Sequence, residues 1–197
     1  GTDDLQKVVL GPYSSYSVRT DAKHMCFVLS RYKFCAKLLE GKDSVLEIGC
    51  GDAIGSPIVA QSVGHVYAAD WDENIIKDNK KRVSFLSNCT FLKFNIVDEP
   101  FHETLDAVYS LDVIEHLEPE VEESFIQNIV HSLCNTGICV MGTPNIEASA
   151  YASLQSKGGH INLKSSKALS ELMQNHFENV FLFSMNDEII HTGFYPM

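Results

Sequence analysis

Three glycines and two acids are spaced in this chain so that they can hold a charged nucleoside. They lie between Ser44 and Asp70, in SVLEIGCGDAIGSPIVAQSVGHVYAAD. The apolar run Val45, Leu46 and Ile48 reads as a buried parallel strand. It passes into Glu47-Ile48-Gly49-Cys50-Gly51-Asp52, and Gly55 follows. The stretch from Ile54 to Val63 reads as a helix, and Val66 to Ala69 as a second strand that ends in Asp70. Glycines let the backbone turn sharply and approach a ligand closely. An acid at the tip of the following strand accepts both ribose hydroxyls. In the dinucleotide fingerprint the third glycine comes three residues after the second. Here Gly55 comes four residues after Gly51. Pyrophosphate is an anion that sits on a helix N-terminus, and carboxylates at Glu47 and Asp52 repel it. They suit a ligand that carries positive charge, so a nicotinamide-dependent oxidoreductase is disfavoured.

Glu47-x-Gly49-x-Gly51-x-x-x-Gly55, with Asp70 nineteen residues beyond Gly51, resembles the class I S-adenosylmethionine-dependent methyltransferases. The likeness runs from Asp43 to Asn145. It is nearest in style to the small-molecule branch that includes ubiquinone-pathway-type O-methyltransferases. The resemblance implies S-adenosyl-L-methionine as cofactor, S-adenosyl-L-homocysteine as its product, and a small-molecule acceptor methylated at oxygen. It also implies roles for particular residues. Glu47, Gly49, Cys50 and Gly51 surround the methionine part. Asp70 takes the ribose hydroxyls, and Trp71 packs on adenine. Asn95 stands where relatives carry an acid for the adenine amino group, and Ile96 supplies a backbone N–H to the ring. A carbonyl at Ser110 or Leu111 meets the ammonium, and Arg31 reaches the cofactor carboxylate. His116, in Asp112-Val113-Ile114-Glu115-His116, and His160, in Gly158-Gly159-His160-Ile161, are the candidate catalytic bases. A near-neutral imidazole suits removal of a hydroxyl proton. No metal ligand set is expected, since none of the six cysteines forms a Cys-x-x-Cys pair. The alternative is an accessory protein that binds the cofactor without turning it over.

The elements that position these residues follow from periodicity and caps. Helices are expected from Asp21 to Leu39, Asp72 to Arg82, Pro119 to Leu133 and Ser165 to His176. Strands are expected over Cys89 to Asn95, Leu105 to Leu111, Ile138 to Met141, Asn179 to Ser184 and Glu188 to Tyr195. Gly11 to Tyr16 and Asn135 to Gly137 read as turns. The last two strands, joined by a short turn, must pair antiparallel, because a parallel crossover needs a dozen residues or more. The resemblance implies a Rossmann-like α/β fold: a seven-stranded, mostly parallel sheet with helices on both faces and one antiparallel strand near the C-terminal edge. One domain is expected over residues 1–197: a helical lead-in or lid (1–41), a cofactor-binding core (42–145) and an acceptor-side part (146–197).

Composition fits an ordinary globular chain, with 45% hydrophobic and 21% charged residues. A net charge of −11 argues against a nucleic acid partner, whose phosphates need clustered Lys and Arg. No apolar run reaches the roughly 18 residues of a membrane span. Free cysteines inside apolar runs point to a reducing, cytoplasmic setting.

Overall fold

The strand Ser44–Ile48 (β1) is buried along nearly its whole length, and the other elements are laid out to either side of it. The computed structural model describes residues 7–151 and 158–185. Two helices, Pro12–Thr20 (α1) and Ala22–Leu38 (α2), precede β1. Ser56–Ala60 (α3), His65–Asp70 (β2), Glu73–Arg82 (α4) and Cys89–Lys93 (β3) follow. Leu105–Leu111 (β4), Pro119–Ser132 (α5), Leu133–Gly142 (β5) and Ser166–Gln174 (α6) come next, with 3-10 turns at Ile114–His116 and Ile146–Tyr151.

The strands lie in the order β3-β2-β1-β4-β5, and every pairing is parallel. The chain therefore steps outward from β1 to β3, then returns past β1 to β4. Such a reversal opens a crevice at the carboxyl ends of the two central strands. Successive side chains of β1 face opposite ways, and each face is covered. Val45 joins Cys35, Leu39, Val59 and Ile76 on one side. Leu46 and Ile48 join Phe125, Ile126, Ile129 and Met173 on the other. Helices thus cover both faces, as an all-parallel sheet requires.

Several boundaries differ from those expected. Gly11 to Tyr16, read as a turn, opens the helix α1. Pro12 sits at its first position, where a missing N–H is tolerated, and Ser14 is buried. The helix expected over Ile54 to Val63 shortens to Ser56–Ala60. Ala53 adopts a left-handed φ of 57°, which ends any continuous helix there. The expected turn at Asn135 to Gly137 is absorbed into β5, and a register shift between Leu105 and Ala107 of β4 accommodates it.

The sheet has five parallel strands among the described residues, against the seven expected with one antiparallel. Residues 179–184 form no strand with any described residue, and Glu188 to Tyr195 lies outside the described residues. Among the described residues β5 is the outer strand on that side, and a groove of about 1460 Å³ lies beside it, lined in part by Phe27, Val140, Leu169 and Phe181. Among the described residues no helix is long and apolar enough to cross a membrane.

Candidate active site

The bend after β1 is held by hydrogen bonds from three directions. Gly49 and Cys50 both donate their N–H to the Ala69 carbonyl at 2.9 Å, which ties the bend to the end of β2. Gly51 donates its N–H to Asp70 Oδ2 at 3.0 Å, and Asp72 donates to Asp70 Oδ1 at 2.9 Å. From α4, the fully buried Asn79 donates to the Gly51 carbonyl at 2.7 Å and accepts from Arg82. From α1, Ser14 donates both its N–H and its hydroxyl to the Asp52 carboxylate, at 2.7 and 2.8 Å. Gly49 has φ of 75°, and a Cβ there would meet Val113 Cγ2 at 2.3 Å, so both backbone and space demand glycine. A Cβ on Gly51 would meet only Tyr13 at 3.8 Å, so the chain is open to a ligand on that side.

Glu47 is 1% exposed and accepts from the Ser56 hydroxyl at 2.6 Å. Its Oε1 has no hydrogen-bond partner. Burial pushes its carboxyl up to about 7, the Ser56 bond opposes this, and the Asp70 charge adds to the rise. Tyr32 and Tyr109 meet edge to face nearby, and burial followed by the Glu47 charge raises both phenols well above their usual range.

A second group gathers where β4 ends. Asp112 takes a left-handed φ of 55° and donates its N–H to Gly142 at the end of β5. Its carboxylate holds the Arg31 guanidinium, which also lies 5.0 Å over the Phe27 ring. Glu115, fully buried in the 3-10 turn Ile114–His116, accepts from Thr143 at 3.0 Å. Burial and then the Asp112 charge push its carboxyl up to about 7. The Glu115 carbonyl receives the N–H groups of Ile161 and Asn162, at 2.9 and 3.0 Å. His116 Nδ1 lies 2.8 Å from the Gly159 carbonyl. These bonds bring the His160 ring to 5.0 Å from that of His116, edge to face. Burial, then His116, lowers the His160 pKa, while Asp112 opposes.

The expected site residues divide by place. Glu47, Gly49, Cys50, Gly51 and Asp70 meet at the bend. Trp71, 74% exposed, stands next to Asp70 at the tip of β2. Ser110, buried with its hydroxyl unpartnered, and the half-buried Leu111 close β4 on the other side of the crevice. Asn95 is exposed and spends its amide locally, accepting from Val97 N–H and donating to Asp98. Ile96 is 2% exposed, and its carbonyl accepts from Asn128. Arg31, expected at a cofactor carboxylate, is held by Asp112 instead. His116 and His160 come together although forty-three residues separate His116 from Gly159. Sequence reasoning missed Glu115, Asn79 and the Ser14–Asp52 clasp. An acid inside the apolar run Val113-Ile114 was a usable sign for Glu115; nothing local marks Asn79.

Residues 46–141 match the family model described as a methyltransferase domain. A probable S-adenosylmethionine-dependent methyltransferase of Mycobacterium tuberculosis is 28% identical over 102 residues. That match covers 51% of this chain and 35% of the relative, so the chain spans about a third of that protein's length. Among solved structures, the methyltransferase domain of bacterial CtHen1-C superposes with a TM-score of 0.65 at 16% identity, over 76% of this chain and 83% of that one. The N-methyltransferase NodS of Bradyrhizobium japonicum, in complex with S-adenosyl-l-homocysteine, gives a TM-score of 0.64 at 17% identity, over 82% and 79%. Residues 46–141 are thus similar to a methyltransferase domain, and the structure shares the Rossmann-like α/β fold of these solved methyltransferases.

Proposed function

We propose that this chain transfers a methyl group from S-adenosylmethionine to a small-molecule acceptor, at oxygen. The observation that carries the reading is the bend itself. Asp70 reaches from one strand tip to the N–H of Gly51 on the next, beside a buried Glu47 and below the open face of Gly51. Bound there, S-adenosylmethionine supplies a methyl carbon on a cationic sulfur, with a second positive charge on its ammonium. The chain's own part is to attract and align. Asp70 gives the crevice a negative charge that favours a cation over a dinucleotide, and Glu47 and Glu115, whose carboxyls are pushed up to about 7, add to it as they ionise. Gly49, Cys50 and Gly51 bring backbone within reach of the methionine part, and a carbonyl at Ser110 or Leu111 meets its ammonium. Asp70 takes the ribose, while Trp71 lies along the adenine and the Asn95–Ile96 segment meets its edge. Arg31 serves the cofactor carboxylate by exchanging its hold on Asp112.

The acceptor enters on the side of His116 and His160, the groups that handle its proton. Alignment of two reactants accounts for up to roughly 7–11 kcal/mol of a barrier. The first forty residues and the part after 146 shape the acceptor's place, and completion of the sheet by one antiparallel strand along the open edge of β5 belongs to the same proposal. A cytoplasmic setting fits the free thiols.

Calorimetry with S-adenosylmethionine, S-adenosylhomocysteine and NAD tests the cofactor, and methyl release over phenols, sugars and carboxylates tests the acceptor. Binding of the two sulfur ligands but not NAD is expected. Asp70→Asn should weaken them about tenfold or more, the worth of a charge-assisted hydrogen bond. Replacing His116 or His160 with Ala should lower turnover about 10²-fold while cofactor affinity holds. Binding without methyl release to any acceptor would leave an accessory protein.

A further inference from the structure

We propose that Glu122 is a positioning residue: its carboxylate, acting through Asn162 and Lys164, sets where His160 stands against His116. Glu122 lies in the first turn of α5, and Asn162 comes forty residues later in the chain. Asn162 donates its side-chain N–H to Glu122 Oε2 at 2.7 Å. The Lys164 ammonium reaches the same oxygen and donates to Asn162 Oδ1 at 2.7 Å. The three side chains close a triangle in which each touches the other two. The charged pair is mostly withdrawn from water, with Lys164 12% and Glu122 17% exposed. Such a pair holds its geometry firmly, because moving one member away strands the charge of the other.

The helix itself does not require this acid. A carboxylate near a helix N-terminus is favourable, and Glu120, exposed in the same turn, already supplies one. Glu122 is turned instead toward residues 158–165. Backbone bonds attach that run at two places. Gly159, Ile161 and Asn162 bond to His116 and Glu115 in the turn after β4, and the Lys164 carbonyl accepts from Ile146 after β5. The bonds to the turn all lead to one element, about which the run can roll, and Gly158 and Gly159 resist rolling little. The triangle grips Asn162 and Lys164 by their side chains from a third element, α5, and stops that motion. His160 stands between Gly159 and the gripped Asn162, with its ring 5.0 Å from that of His116. A rolled run carries this ring away from His116.

The effect on turnover rests on the methyl-transfer reading; the placement of the rings does not. A misplacement of about 1 Å at a reacting centre costs about 10²-fold in rate. The cofactor bend is held by α1, α4 and the end of β2, so its affinity for ligand is independent of Glu122.

Nuclear magnetic resonance of the full chain with isotope-labelled histidine tests the placement. The parent should show a cross-relaxation peak between the ring protons of His116 and His160. Glu122→Ala should lose it, and Glu122→Gln, which still accepts from Asn162, should restore part of it. Methyl release should fall about 10²-fold in Glu122→Ala and recover in part in Glu122→Gln, while S-adenosylmethionine affinity, read by calorimetry, stays unchanged. Lys164→Met and Asn162→Ala remove the other two corners and should weaken the peak likewise. They carry the decision if thermal melts show that Glu122→Ala does not fold. A role in the helix alone would lower the melting temperature and leave the peak in place. That result overturns the inference, as does a parent without the peak. A peak lost with Glu122 in a chain that releases no methyl keeps the positioning role and removes methyl transfer. A parent that transfers methyl while Glu122→Ala keeps the peak does the reverse.

Discussion

Glu47 is an acid buried in the crevice wall, and its titration sets a pH dependence for the whole fold. Its folded pKa, about 7, lies above the ordinary 4.5. The folded chain therefore holds a proton that the unfolded chain releases. Stability from this group is fully present below about pH 4.5 and is lost as pH rises toward 7. The shift corresponds to about 3 kcal/mol. Glu47→Gln keeps an oxygen to accept from Ser56 and removes the ionisation. Urea melts at pH 5 and pH 8 should show the variant gaining on its parent by up to about 3 kcal/mol between the two. An equal difference at both pH values would place the ionised carboxylate comfortably in the fold. The same titration couples to the proposed cofactor: a cation in the crevice favours ionised Glu47, so S-adenosylmethionine affinity should rise through neutral pH more than that of uncharged-sulfur S-adenosylhomocysteine.

At the scale of elements, the bend works because α1, α4 and the turn after β4 press on it from separate directions. Gly49→Ala adds a Cβ 2.3 Å from Val113 Cγ2 and forces a side chain into φ of 75°. The left-handed backbone alone costs about 1–2 kcal/mol, and the overlap adds about 1–3. Denaturant melts of Gly49→Ala should show the summed loss. Val113→Ala in the same chain should recover the overlap part but not the backbone part. Asp52→Ala removes both bonds from Ser14, so α1 amides should exchange faster with deuterium while those of β1 and β4 hold.

The elements also show what was readable beforehand. Strand, glycine bend, strand and acid were legible in Glu47 to Asp70, because glycine spacing and apolar runs are local signals. The helix starts at Asp21, Asp72 and Ser165 were legible for the same reason, and each of these side chains accepts a backbone N–H of its helix's first turn. The α1 helix was not, since its one buried residue finds its partner thirty-eight positions away at Asp52. The pairing of His116 with the Gly159 segment and the burial of Glu115 depend on sheet order, which periodicity does not encode. Asn135 to Gly137 carried turn residues, yet the neighbouring β4 drew it into β5; pairing outweighed local propensity.

For the molecule as a whole, the parallel sheet makes the crevice a seam between its outgoing and returning halves. A ligand bridging β1, β2 and β4 binds only the folded state, so it stabilises by linkage. At about a hundred times its dissociation constant, S-adenosylmethionine should add about 2.7 kcal/mol, read as a raised melting temperature. NAD at the same concentration should leave the melt unmoved.

The cysteines, finally, make this chain simple to tag. Burial pushes the thiols of Cys35, Cys89 and Cys139 up to about 12, and that of Cys50 well above its usual value. Such thiols carry almost no thiolate and react slowly with alkylating reagents. Cys26, exposed on α2 one residue from the Phe27 that underlies Arg31, is free to react, and the partly exposed Cys134 is its one competitor. With Cys134 changed to serine, a maleimide dye should attach at a single position in the native protein, verified by peptide mass. Its fluorescence would then test the proposed exchange of Arg31 from Asp112 to the cofactor carboxylate.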